Sequence, residues 1–320
     1  MFVKVFLISC LVLVASASEE EWTNYKTKFE KVYASEAEHQ VRYQAFKTNL
    51  QKIQEHNAKY DQGLVTWYMA VNKFTDLTAE EFEKQYLSYQ MPTLNQSGKR
   101  IHQTSVSAPG NIDWRDYNYV TEVKDQGQCG SCWTFSATGT LEGAFAKSRL
   151  QLVSFSEQEI LDCATESAGY NGAGCNGGVV QSALDYVRDR GIVYEGDYPY
   201  EARQQSCRQN GNVFQISGYT EIGSNDENGL RDAVGNVGPV SVALNAADFQ
   251  NYGGGIYDNP GCSTAINHGV LAVGYNSENG RDYWIVKNSW GGGWGEGGYI
   301  RMARGHNLCA IASQACYPNL

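Results

Sequence analysis

The 320-residue chain has little proline (six residues) and little methionine (four). So few prolines exclude a collagen-like or proline-rich linker architecture. Basic residues are also in short supply: 25 Lys and Arg face 35 Asp and Glu, for a formal net charge of −10. That balance argues against a nucleic-acid partner. Beyond residue 17 no segment approaches 18 uninterrupted apolar residues, so no membrane span is expected there. Cysteine is absent from 18–107, although eight cysteines follow. What remains, 42% hydrophobic and 19% charged, describes an ordinary soluble globular protein.

The first 17 residues read as a secretory signal. Lys4 supplies a short positive start, Val5–Val14 an apolar run, and Ala15-Ser16-Ala17 a small-residue cleavage site. The expected destination is the secretory pathway, lysosomal or extracellular. An oxidising compartment permits disulfides among Cys129, Cys132, Cys163, Cys175, Cys207, Cys262, Cys309 and Cys316, but spacing alone leaves their pairing open.

Residues 18–107 differ in character from the rest. Trp22, Tyr25, Phe29 and Tyr33 recur at steps of 3, 4 and 4, which predicts a helix. Glu38, Arg42, Phe46, Asn49, Ile53 and Asn57 follow at steps of 4, 4, 3, 4 and 4, one stripe of a second helix. From 87 to 107 periodicity stops, and Ser, Thr, Gln and Lys99-Arg100 collect in what reads as a protease-accessible linker. Asn95-Gln96-Ser97 within it is a glycosylation acceptor. Beyond 107, a helical pattern after Cys132 and an N-cap at Ser154-Phe-Ser156-Glu-Gln-Glu159 come first. Strand-like runs at 240–244, 270–275 and 283–286 come later, so the class is α+β in two parts.

The chemistry concentrates in three places. Cys132 stands in Gln126-Gly-Gln-Cys129-Gly-Ser-Cys132-Trp133, His268 lies 136 positions later, and Asn288 lies 156 later. A thiol attacks an amide carbonyl only as thiolate, an imidazole can take its proton, and a third group must fix that imidazole's tautomer. Cys129-Gly-Ser-Cys132 also reads as a redox C-x-x-C, but the signal segment argues against a cytosolic thioredoxin context. A zinc site lacks a second Cys/His pair at ligand spacing. No metal and no cofactor are expected.

The Cys129-Gly-Ser-Cys132-Trp133 signature and the order Cys, His, Asn resemble the papain family of cysteine proteases. The stripe from Glu38 to Asn57 resembles the E-R-F-N-I-N helix of cathepsin L-like proregions. Asn72, Phe74 and Asp76 resemble the family's G-x-N-x-F-x-D element, with Ala70 in place of its Gly. The resemblance covers the chain from about Trp22 onward. It implies a papain-like two-domain fold, a helical left domain and a β-barrel right domain, preceded by a helical inhibitory proregion. The segments are then a signal at 1–17, the proregion at 18–107 and the peptidase at 108–320.

The resemblance also implies roles. Cys132 is the nucleophile, His268 its acid–base partner, Asn288 the orienter of His268, Gln126 the oxyanion-hole amide, and Trp290 the shield of the His–Asn bond. Asn267 stands where papain has Asp. Disulfides join Cys129 to Cys175, Cys163 to Cys207 and Cys262 to Cys309, leaving Cys316 as a buried apolar thiol. Gly177 and Gly178 admit a substrate backbone, and Val179, Val180, Ile266 and Gln314 line the pocket for the residue two before the cleaved bond. Gln314 departs from the small or apolar residue usual there, so a mixed pocket is expected. No His-His insertion lies between Cys175 and Cys207, which implies an open cleft and endopeptidase action. Expected partners are protein and peptide substrates, the chain's own propeptide as intramolecular inhibitor, and cystatin-type inhibitors, with the enzyme a monomer. Acid is expected to release the proregion by protonating Glu38 and Asp76. An inactive decoy, an inhibitor built from the proregion alone and a disulfide exchanger are the competing readings.

Overall fold

A computed structural model of the chain describes residues 19–90, 100–103, 107–208 and 211–320. The signal segment, the Asn95 acceptor and Lys99 lie outside the described residues. Among those described, no helix is long and apolar enough to cross a membrane.

Helix α1 covers 19–28. Tyr33 falls outside it: Glu30 takes a left-handed backbone, which breaks the helix and returns Tyr33 to stack on Trp22 at 5.8 Å. Phe29 lies in the turn just past the helix, so the helical period carried two members too far. Helix α2, Glu36–Asp61, starts where the Ser35 side chain accepts from the Glu38 amide. Its stripe does more than bury apolar surface. Phe46 is buried against Trp22 and Tyr25, but Asn49 donates to the carbonyls of Thr75 and Leu77 at 2.8 Å each. Asn57 closes a two-way bond with the Met69 backbone, at 2.9 and 2.8 Å. The stripe is a row of hooks that holds the segment following it.

That segment holds β1 (Trp67–Met69), a turn through Asn72–Asp76, and α3 (Ala79–Tyr86), which opens with a full capping box between Thr78 and Glu81. Asp76 accepts from Tyr25 Oη at 2.7 Å, Tyr33 Oη at 2.9 Å and Lys31 Nζ at 2.8 Å. Asn72 reaches beyond the turn to the Gln250 carbonyl at 2.8 Å.

Two larger parts follow. Helices α4 (Cys132–Arg149), α5 (Glu157–Cys163) and α6 (Val180–Arg190) pack around Trp133, Leu141, Phe155, Ile160 and Leu184. The other part is a sheet. Its strands are β1, β2 (Arg100–Ile101), β4 (Gly218–Glu221), β5 (Val240–Leu244), β6 (Tyr252–Tyr257), β7 (His268–Glu278), β8 (Arg281–Lys287), β9 (Tyr299–Ala303) and β10 (Gln314–Asn319), with β3 (Ile112–Asp113) beside β7. Helix α7, Glu227–Asn236, packs on β5 and β7. The order is β1-β6-β9-β8-β7-β5-β10-β4-β2, so both end positions belong to segments before residue 108. Trp67, Phe74, Phe82 and Tyr86 share one apolar core with Trp284, Trp290 and Trp294 of the sheet part. The stretch before 108 is therefore built into the body rather than tethered beside it.

The described residues of the 87–107 segment include some that are tied to the body of the protein. Among the described residues, Tyr89 is buried and Leu87, Ser88 and His102 are half-buried, whereas Gln90, Arg100, Ile101, Gln103 and Ser107 are exposed. Backbone pairing explains this: the Tyr89 amide donates to Asn267 and the Gln90 amide to Gly178, both at 3.0 Å, and β2 lies parallel to β4.

Candidate active site

Helix α4 begins at Cys132, and its N-cap Ser131 makes no side-chain capping bond. The first-turn amides and the partial positive charge of an 18-residue helix are thus directed at this thiol. Ser136, one turn on, donates to the Val270 carbonyl at 2.6 Å and shares a hydrogen with Ser241, which pins α4 to β7. His268 opens β7, paired with Leu244 of β5.

Both groups are fully buried. Burial pushes the Cys132 thiol up to about 11, although the backbone N–H groups of Gly269, Ser88 and Trp133 pull the other way. Burial likewise pushes His268 down to about 4, opposed by its bond to Asn288. In this closed form burial favours the neutral form of both groups.

His268 Nε2 meets Asn288 Oδ1 at 2.8 Å, while Nδ1 is buried with no hydrogen-bond partner among the described residues. The orienting bond is therefore on one nitrogen and the other is open. Trp290 stacks on the imidazole, centroids 4.7 Å apart, and Trp294 meets Trp290 edge-on at 4.9 Å. Phe74 and Phe82 close over Trp290 at 5.5 and 5.2 Å.

Gln126 is fully buried. Its Oε1 accepts from Ser289 Oγ at 2.7 Å, and its Nε2 donates to the carbonyls of Cys129 at 3.0 Å and Tyr86 at 3.3 Å. The Tyr86 carbonyl thus sits on an amide hydrogen that the sequence assigned to an oxyanion. Ser289, beside Asn288, was not singled out from sequence, yet it fixes which end of Gln126 faces the cleft.

Disulfides join Cys129–Cys175, Cys163–Cys207 and Cys262–Cys309. With Cys129 bonded to Cys175, no Cys129–Cys132 dithiol exists for disulfide exchange. The first bridge also brings Gly177 and Gly178 to the cleft. Gly177 has φ +109, and a Cβ there would lie 1.9 Å from the Ser88 carbonyl oxygen. At Gly178 a Cβ would enter the Trp133 ring at 2.6 Å. Val179 and Val180 are buried, Ile266 is half-buried, and Gln314 accepts from Gln181 Nε2 at 3.3 Å.

A buried charge cluster behind the site was not read from sequence. Lys124 contacts Glu157 at 2.6 Å and Glu142 at 3.2 Å, and Lys287 donates to Thr121 at 2.9 Å. Burial raises Glu157 to about 8 despite Lys124 beside it, and burial lowers Lys287. Four ionisable side chains scattered from 124 to 287 carry no local sequence signature.

Residues 108–319 match the model of the papain family cysteine protease, and 22–82 match the cathepsin propeptide inhibitor domain. The chain belongs to the papain family of cysteine proteases. Digestive cysteine proteinase 1 of Homarus americanus is 44% identical across 99% of this chain and all of its own. Cathepsin L of Sarcophaga peregrina is 41% identical across 99% of this chain and all of its own. Among solved structures, the digestive procathepsin L 3 of Tenebrio molitor larval midgut superposes with a TM-score of 0.88 at 46% identity, covering 95% of this chain and 99% of that one. Within the family, the chain is a cathepsin L-like proenzyme.

Proposed function

We propose that Cys132, His268, Asn288 and Gln126 carry peptide-bond hydrolysis, and that residues 18–107 hold them silent until removed. The observation that carries this is the His268–Asn288 bond of 2.8 Å beneath Trp290, beside a thiol at the start of α4. Withdrawal of Tyr86–Gln90 readmits water, and burial no longer opposes charge. The Cys132 proton then moves to His268, and the α4 terminus favours the thiolate.

The Cys132 sulfur attacks the peptide carbonyl carbon. The carbonyl electron pair shifts to oxygen, held by the Cys132 amide and Gln126 Nε2. Collapse breaks the C–N bond as His268 gives its proton to the leaving amine, leaving a thioester on Cys132. Water, deprotonated by His268, attacks the thioester; the acid product leaves and the thiolate returns. Asn288 keeps the imidazole plane through both steps. An amide suffices because the resting imidazole is already cationic, so no carboxylate is needed to create that charge.

The enzyme acts as an endopeptidase on proteins, as a monomer, in a lysosome or in a secreted digestive fluid, and is open to cystatin-type inhibitors. Digestive relatives support the second location. Gln314 makes the pocket for the residue two before the cut a mixed one. Acid releases the proregion: protonating Asp76 removes the charge that holds Lys31, and protonating Glu38 removes the longer of the two carboxylate contacts to Arg42, whose other partner is Glu81 at 2.6 Å. The decisive test is labelling of acid-treated protein by an epoxide thiol-protease inhibitor. Label on Cys132 with peptidase activity, both lost in Cys132→Ala, is expected; activity surviving in Cys132→Ala would overturn the assignment.

A further inference from the structure

In the proposed reaction two donors converge on the oxyanion, Gln126 Nε2 and the Cys132 amide, from the two ends of one loop. That loop carries Gly127, at φ +60, and Gly130, so its own backbone does little to hold the ends at a set distance. Ties from outside fix parts of it: the Gln126 amide donates to the Ser289 carbonyl at 2.8 Å, and Cys129 is bonded to Cys175. Two further groups, the Gln126 carbonyl and the Ser131 hydroxyl, go to the same atom, the phenol oxygen of Tyr200.

A phenol has one proton, and Tyr200 donates it to the Gln126 carbonyl at 2.7 Å. Its contact with Ser131 Oγ at 2.5 Å is then an acceptance, with Ser131 the donor. Burial holds the Tyr200 pKa above that of a free phenol, so the proton stays in place across the working range. Serine is a common N-cap, yet Ser131 makes no capping bond to α4, and its hydroxyl is turned to Tyr200 instead. Tyr200 is itself anchored. Its amide donates to Glu195 Oε1 at 3.0 Å, and its ring meets Phe135 of α4 edge-on at 4.8 Å. The phenol oxygen is therefore a fixed peg between residues 126 and 131, supplied from 69 positions beyond Ser131.

We infer that Tyr200 is a positioning residue for the oxyanion hole, its hydroxyl setting the gap between Gln126 and the Cys132 amide. The inference rests on the proposed reading of those two groups as the oxyanion donors. Such donors act on the negative oxygen at about 2.7–3.1 Å, so a displacement that packing hardly registers weakens their hold on the transition state. Thiolate formation draws on the α4 terminus and His268 instead, and does not depend on that gap.

The experiment uses enzyme activated by acid from the full chain, unaltered and as Tyr200→Phe, which keeps the ring on Phe135 and removes both bonds. Hydrolysis of a fluorogenic peptide amide is compared with alkylation of Cys132 by iodoacetamide from pH 4 to 8, a displacement of iodide that forms no oxyanion. In Tyr200→Phe, kcat is expected to fall about tenfold with KM unchanged, while alkylation keeps its rate and pH profile. A kcat equal to that of the unaltered enzyme would overturn the inference, as would a rise in KM at constant kcat. Alkylation slowed in step with kcat would overturn it too, by placing the effect on the thiolate. Ser131→Ala breaks one arm and is expected to lower kcat about threefold in the same pattern, and to cost nothing more when added to Tyr200→Phe. Additive losses in the double variant would contradict a shared peg. If Tyr200→Phe does not fold, Ser131→Ala alone decides, an unchanged kcat being the overturning result. Should the unaltered enzyme itself cut no peptide and take no epoxide label on Cys132, the catalytic reading falls and this inference with it.

Discussion

The indole of Trp290 lies stacked at 4.7 Å on the imidazole of His268, the ring that meets Asn288 at 2.8 Å. A hydrogen bond kept from water is stronger than one that water contests. Trp290→Ala is expected to lower kcat/KM about tenfold or more and to move the acidic limb of the pH–rate profile. Trp290→Phe should recover part of both. Steady-state kinetics from pH 4 to 8 on the activated enzyme checks this, and an unchanged profile in Trp290→Ala would refute the shielding role.

Asn49 holds two carbonyls from within the proregion. Asn49→Ala leaves the Thr75 carbonyl buried without that donor, a cost of about 1–3 kcal/mol. Gln250 still serves the Leu77 carbonyl at 2.9 Å, so the loss should fall at the lower end. Activation at near-neutral pH should quicken accordingly, measured as the half-time of conversion to the mature band on a gel.

His56 offers a second acid response. It packs on Trp67 at 4.0 Å and meets the Trp67 carbonyl at 2.9 Å, and burial lowers its pKa, with Lys59 and Lys52 adding to the effect. Asp248 and Asp258 line the cavity it shares with those lysines. Because the docked pKa is the lower one, the released proregion binds the proton more readily. Docking is then at full strength above the free-histidine pKa of about 6.5 and weakens as pH falls below it. His56→Gln should shift the midpoint of acid activation to lower pH; a midpoint that does not move would exclude His56 as a contributor.

Lys124 is the cation between two buried carboxylates, Glu142 and Glu157. Removing one partner of such a group strands the others, at a cost of about 3–5 kcal/mol. Lys124→Met is therefore expected to destabilise strongly, whereas Glu157→Gln, which replaces a carboxyl already raised to about 8, should cost much less. Urea unfolding of the two variants separates them, and equal losses would contradict the raised carboxyl.

Legibility followed locality. Cys132, Gln126 and the cysteine spacing sit in one short motif, and the helical stripe from Glu38 to Asn57 announces itself by period. What the stripe does was hidden, because Asn49 and Asn57 bind backbone, which any sequence could provide. Strands β1 and β2 have three and two residues, too few for any alternation to register. The seat of Tyr89 depends on Val180, Cys316 and Gly269, which come together only through the fold. The burial of Cys132 and His268, which opposes charge on both, was likewise invisible, since it arises only in the folded chain.

With the proposed cleavage after residue 107, the two outermost rungs of the sheet, β1 and β2, would leave with the discarded segment. Such a cut would strip the guard from both flanks at once, baring unsatisfied ladder groups on β6 and β4. A chain synthesised from residue 108 alone would have to assemble with those flanks raw, and self-association would compete with folding from the first encounter.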